Sequence, residues 1–115
     1  MNLRALRYLV ALAKFLSFSR AADYCAVTQS TLSIQIRKLE EYLGLVLFER
    51  NSSYVALTAD GREVLRMAQV IVAAADDIVT FSRGRARERL VKQAGLIERT
   101  ATPIEDINCV RAPRY

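Results

Sequence analysis

Apolar residues recur at helical spacing in several separate stretches of the chain. Leu3, Leu6, Val10 and Ala13, with Leu9, Leu12 and Leu16 beside them, step by three and four, while Arg4, Arg7 and Lys14 fall elsewhere on the wheel. This predicts a first helix with Asn2 as its N-cap. Ser17-Phe18-Ser19 breaks the pattern, and Ser19 is the expected cap of a short helix through Arg20-Ala21-Ala22-Asp23-Tyr24, whose paired alanines let another helix approach closely. After Cys25-Ala26-Val27, Thr28 is placed to cap a third helix from Gln29 to Leu43, with Gly44 as its left-handed stop. Leu32, Ile36, Leu39 and Leu43 form one stripe of that helix; at ~100° per residue, Ser30, Ser33, Ile34, Arg37, Lys38 and Glu41 occupy the other side. Two helices joined this tightly are a helix-turn-helix candidate.

Two short β-prone runs follow, Leu45–Arg50 and Tyr54–Leu57, joined by Asn51-Ser52-Ser53, and together they predict a small hairpin, or wing. Thr58 is the expected N-cap of a long helix, with Asp60 favourably placed in its first turn. Along that helix Leu65, Ala68, Val72, Ala75 and Val79 repeat at three and four, flanked by Val64, Ile71 and Ile78. A stripe on a helix of about 25 residues, with no further domain of its own to cover it, calls for a partner surface, most simply a second copy of the same helix. Beyond Arg83-Gly84 the periodicity fades; residues 85–97 read as a basic helical continuation interrupted at Gly95, and the chain ends in a flexible tail containing Pro103 and Pro113. The expected organisation is a domain over residues 1–58, with the helix-turn-helix at 18–37 and the wing at 47–57, a linker and dimerisation helix at 59–92, and a tail at 93–115. The fold class is mainly α.

Composition narrows the function classes. The 115 residues include no histidine, the side chain most used for acid/base work and zinc binding, which argues against an enzyme. Cys25 and Cys109 match no metal-ligand spacing and are too few for a disulfide scaffold. Seventeen Lys or Arg against twelve Asp or Glu give a net charge of +5, and the excess is uneven: residues 1–83 hold 10 basic and 8 acidic side chains, residues 84–115 hold 7 and 4. Arg83, Arg85, Arg87 and Arg89 account for much of it. The basic, initially acid-free N-terminus has some likeness to a presequence, but Lys14 interrupts its apolar run, and no stretch reaches the ~20 apolar residues of a membrane span. A cytoplasmic protein is expected.

The linked motifs Phe18-Ser19-Arg20-Ala21-Ala22, Val27-Thr28-Gln29-Ser30-Thr31-Leu32-Ser33, Gln35-Ile36-Arg37-Lys38-Leu39-Glu40, Leu43-Gly44, Leu47-Phe48-Glu49-Arg50 and Leu57-Thr58 stand in an order that resembles the N-terminal winged helix-turn-helix of LysR-type transcriptional regulators. The start Met1-Asn2-Leu3-Arg4 and the run from Gln35 to Glu40 most resemble the peroxide-responsive, OxyR-like branch. The resemblance covers residues 1–83 and implies a winged helix-turn-helix with a long dimerisation helix. It implies nothing from Gly84 onward, where the family's effector-binding domain of roughly 200 residues does not fit; the chain reads as a regulator truncated before that domain, with no small-molecule effector or peroxide-sensing pair to carry over.

The resemblance places the third helix in the major groove and the wing over the backbone or minor groove. The implied DNA-binding residues are Thr28, Gln29, Ser30, Thr31, Ser33, Ile34, Arg37 and Lys38 on the helix, with Arg50 and Ser53 in the wing. Physical chemistry supplies a role for each and a plainer alternative. Thr28 caps, with or without touching DNA; Gln29 suits an adenine edge and a phosphate at the helix N-terminus; Ser30, Thr31 and Ser33 suit phosphate or bases. Ile34 covers a thymine methyl or joins the core. Arg37 contacts DNA or pairs with Glu41, Lys38 contacts DNA or is merely solvated, and Arg50 contacts DNA or forms a strand-surface ion pair. Ser30 stands where many family members carry Pro, and Asn51, Ser52 and Ser53 where many carry basic residues. Cys25 reads as an apolar filler rather than a redox switch.

These features predict a sequence-specific regulator bound as a dimer to an inverted repeat in double-stranded DNA. The dimerisation residues are Leu65, Ala68, Val72, Ala75 and Val79, and no cofactor, metal, membrane or catalytic site is expected. Two alternatives stay open at the level of sequence: a truncated partner forming mixed dimers with a full-length regulator, and a gene remnant.

Overall fold

The computed structural model describes residues 1–94, so all but the first two residues of the expected tail, Cys109 included, lie outside the described residues. Its elements are α1 (Leu3–Phe15), α2 (Phe18–Cys25), α3 (Gln29–Leu43), β1 (Phe48–Arg50), β2 (Val55–Leu57) and α4 (Ala59–Gln93). The chain divides into two units, Met1–Val72 and the part from Ala73 onward.

In the first unit α1, α2 and α3 pack on one another. Asn2 caps α1 through Oδ1, which accepts from the Ala5 N–H at 2.8 Å. The buried side of α1 is Ala5, Leu6, Tyr8, Leu9, Ala11 and Leu12; Leu3 is exposed, and Leu16 leaves the helix in the left-handed region at φ 49°. The cap of α2 is Ser17, whose Oγ accepts from Arg20 N–H at 3.2 Å, so Ser19 lies inside the helix and not at its start as the sequence predicts. The reason is packing: starting at Phe18 brings that ring against the core and sets Ala21 and Ala22 fully inside it. Fully buried Leu9, Leu12, Leu32, Ile36, Leu39, Leu47 and Phe48 make up its bulk. Each such side chain contributes about 1.5–3 kcal/mol relative to exposure.

The hairpin is shorter than its β-prone runs. β1 and β2 pair antiparallel with Phe48 opposite Leu57, Glu49 opposite Ala56 and Arg50 opposite Val55. Leu45, Val46 and Leu47 form no ladder, because they carry the chain from α3 into the wing and Leu47 is buried in the core. Thr58 joins wing to α4: its N–H donates to Leu47 O at 2.9 Å, its hydroxyl donates to Val46 O at 2.6 Å, and its Oγ1 accepts from Gly61 N–H at 2.9 Å. A Cβ at Gly61 would collide with the Leu47 carbonyl, so only glycine lets the first turn of α4 lie this close to the wing.

α4 continues past Gly84 to Gln93, one residue beyond the expected linker limit. From Ala73 onward it is a single helix without a buried residue, and it exposes Ile78, Val79, Phe81 and Leu90. No helix among the described residues is long and apolar enough to cross a membrane.

Candidate nucleic-acid interface

The first unit is built to hold α3 with one face outward. Leu32, Ile36 and Leu39 anchor its inner side, and their spacing leaves Gln29, Ser30, Thr31, Ile34, Arg37, Lys38 and Glu41 exposed, with Ser33 half-buried. Ile34 is 49% exposed, which removes it from the core. Arg37 and Lys38 make no ion pair among the described residues, so the pairing of Arg37 with Glu41 is not realised.

The start of α3 is fixed by its own threonines. Thr28 Oγ1 accepts from Thr31 N–H at 3.1 Å and donates to Thr31 Oγ1 at 2.9 Å. That leaves the Gln29 and Ser30 N–H groups without an intrahelical acceptor, at the positive end of the helix dipole. The joint from α2 is Ala26-Val27-Thr28, where Ala26 takes the left-handed conformation at φ 59° and donates its N–H to Asp23 O at 3.1 Å. At the other end Gly44, at φ 69°, ends the helix as predicted.

Glu40 is the residue that sequence reasoning passes over. It lies on α3 between the two faces, and its Oε2 accepts from Leu47 N–H at 2.8 Å and Phe48 N–H at 3.2 Å while Oε1 accepts from Arg50 Nη2 at 3.1 Å. The Arg50 guanidinium also stacks 5.0 Å from the Phe18 ring centroid. One carboxylate therefore ties α3 to the start of the wing, and one guanidinium ties the wing to α2. For Arg50 the ion-pair alternative is the arrangement found. The sequence holds no signal for Glu40 beyond its place next to the buried-stripe residue Leu39, since its neighbour Glu41 is equally acidic and stays exposed.

The wing tip is closed by Asn51, whose Oδ1 accepts from Ser53 N–H at 2.7 Å and Tyr54 N–H at 3.0 Å. Asn51, Ser52, Ser53 and Tyr54 are exposed and carry no charge. Cys25 is half-buried at the end of α2, and burial pushes its thiol pKa up, which suits a filler and not a reactive thiolate. No group of three or more metal-ligating side chains exists among the described residues.

The apolar stripe of α4 is unevenly buried. Ala68 is 1% exposed inside the core of the first unit, and Val64 and Val72, partly buried, pack against that core. Leu65 and Ala75 are half-buried and Val79 exposed, while Met67, Ile71 and Ile78, one step round the helix, are exposed.

A helix held by its inner face behind a short turn, followed by a two-stranded wing, defines a winged helix-turn-helix. Residues 3–62 match the family described as bacterial regulatory helix-turn-helix protein, lysR family. The chain belongs to that family. It is 50% identical over 72 residues to the hydrogen peroxide-inducible genes activator of Haemophilus influenzae, covering 63% of this chain and 24% of that protein. Among solved structures, full-length OxyR from Pseudomonas aeruginosa, in a variant form, matches at 42% identity and TM-score 0.70 over 73% of this chain and 28% of its own. The DNA-binding domain of BenM in complex with catB site 1 DNA matches at 40% identity and TM-score 0.70 over 75% of this chain and 97% of its own. The chain thus spans about a quarter of the length of the curated relatives it matches.

Proposed function

We propose that this chain regulates transcription by reading double-stranded DNA in a sequence-specific way, with α3 in the major groove. The observation that carries the reading is the exposed face of α3 from Gln29 to Lys38, polar and cationic and held outward by a fully buried stripe. Its likeness to a domain solved on DNA supports it. Gln29 and Ser33 face base edges, Ile34 covers a thymine methyl, and Arg37 and Lys38 meet phosphate or guanine. Thr28, Ser30 and Thr31 and the free N–H groups at the start of α3 receive a phosphate oxygen. The Ser53 hydroxyl contacts the backbone from the wing tip. Arg50 acts as a positioning residue through Glu40.

Two copies bind an inverted repeat, joined by their α4 helices. Exposed Ile78 and Val79, beyond Ala73, are the α4 side chains open to the second copy, while Ala68 is buried in the core of the first unit. The same exposed residues favour mixed dimers with a longer regulator as a second reading. The chain carries out no catalysis and works in the cytoplasm.

Fluorescence anisotropy with an inverted-repeat duplex from upstream of the gene, a half-site and a scrambled control tests both the sequence preference and the need for two copies. Gln29→Ala is expected to reduce the preference for the dyad over the scrambled duplex by about 1–3 kcal/mol. Lys38→Ala should weaken all duplexes alike. Equal binding of all three by the unaltered chain would overturn the reading.

A further inference from the structure

A second concentration of positive charge stands apart from α3. Between Arg83 and Lys92 the chain carries five basic residues and one acidic one. Arg83, Arg87, Arg89 and Lys92 are exposed and make no ion pair among the described residues. Arg85 is partly engaged, donating to Glu88 Oε1 at 3.3 Å and lying 5.4 Å from the Phe81 ring centroid.

Because α4 is helical here, Arg83 lies over Arg87 and Arg85 over Arg89, both like-charged i, i+4 pairs that oppose the helix. The dipole at the C-terminus of α4 favours a cation in the last turn, which accounts for Lys92 and not for arginines further in. Solvation alone would be served as well by charges of mixed sign, as at Glu63 and Arg66 earlier on the same helix. An arrangement that repels itself in isolation is relieved by a polyanion.

We propose that this arginine-rich segment, residues 83–92, is a second, sequence-independent site for the phosphate backbone of duplex DNA. The inference rests on the reading of the chain as a DNA-binding protein and adds to it. An anionic membrane surface is the other polyanion to consider, but an interfacial helix needs a continuous apolar face opposite its charges. Here, at ~100° per residue, Arg83 and Arg87 lie on one side and Arg85, Arg89 and Lys92 on the opposite one. Duplex DNA, with a phosphate charge every ~1.7 Å of its axis, asks for no apolar face. The uncharged wing tip makes the segment's contribution more consequential, since the α3 face offers two cations, Arg37 and Lys38, beside the acidic Glu41.

The test uses the full chain and its R83Q/R85Q/R87Q/R89Q variant, titrated by anisotropy onto a dyad duplex and a scrambled duplex of equal length across a salt series. Gln has a helix propensity close to that of Arg, so the circular dichroism of the variant should be unchanged. The log–log salt slope on both duplexes is expected to fall by about 0.9 for each phosphate that is no longer neutralised, hence by roughly 2–4 in all, with the dyad preference kept. An unchanged slope overturns the proposal, as does a variant that no longer binds phosphatidylglycerol vesicles while its DNA slope stays put. Absence of a dyad preference in the unaltered chain would strike the DNA-reading proposal instead, and leaves the salt slopes of the two proteins to decide this one.

Discussion

The charged and apolar side chains of the first unit are mostly used up inside it, whereas those of α4 from Ala73 onward are not. In the first unit Lys14 lies over the rings of Phe15 and Tyr24, Arg20 over Phe15, and Arg50 on Glu40 and Phe18, while Ala68 and Val72 of α4 go to its core. Among its exposed surfaces is the outer face of α3, which carries Arg37 and Lys38. From Ala73 onward, the helix carries the Arg85–Glu88 ion pair and the Arg85–Phe81 contact beside exposed Ile78, Val79, Phe81 and a run of arginines. The first region specifies its own structure and exposes a surface for a ligand. In the second, no described residue is buried, and helices in water depend heavily on tertiary packing, so this stretch of α4 draws little stability from the side chains described.

Two glutamates separate the regions most sharply. Ile78→Glu places a charge on a residue that is 69% exposed, so the first unit should keep its melting temperature while the proposed pairing of two copies is lost and dyad binding falls to that of a half-site. Val72→Glu places the same charge against the core, and should lower stability by about 1–3 kcal/mol as well. Light scattering and thermal melts at fixed protomer concentration distinguish them; a melting temperature lowered equally by both would erase the contrast. A loss of stability of similar size, with no effect on pairing, is expected of Gly61→Ala, where a methyl group must displace the Leu47 carbonyl at a cost of about 1–3 kcal/mol. A denaturant midpoint unchanged from the parent would mean that α4 shifts freely against the wing.

Most of the fold was legible because local signals agreed with one another. The Thr28 cap, the Leu32–Ile36–Leu39 stripe and the Gly44 stop each point to the same α3, and the structure has all three. The outward face followed from the inward one by geometry alone. What stayed hidden were side chains whose partners are distant in sequence. Nothing about Glu40 announces two N–H donors seven and eight positions on, or Arg50 ten on. Gly61 has no left-handed φ to betray it, only the nearness of Leu47. The α4 stripe shows the same limit: periodicity marks Ala68 and Val72 as one apolar side but does not tell that the chain's own core buries Ala68 and partly buries Val72.

The turn between α2 and α3 gives the finest adjustment of the first unit. Ala26 sits at φ 59°, a region where an L-residue's Cβ crowds the carbonyl that follows. Glycine relieves that crowding but loses more freedom on folding, so the two effects partly cancel. Ala26→Gly is expected to stabilise the first unit by about 0.5–1 kcal/mol, seen as a rise of a few degrees in melting temperature. The N–H of residue 26 still donates to Asp23 O, and the α3 face is untouched, so the affinity for DNA should stay as it was. A lower melting temperature would mean that the alanine methyl, although exposed, holds the turn by interactions worth more than the strain. The stiffness of the joint that presents α3 would then come from its side chains and not from its backbone.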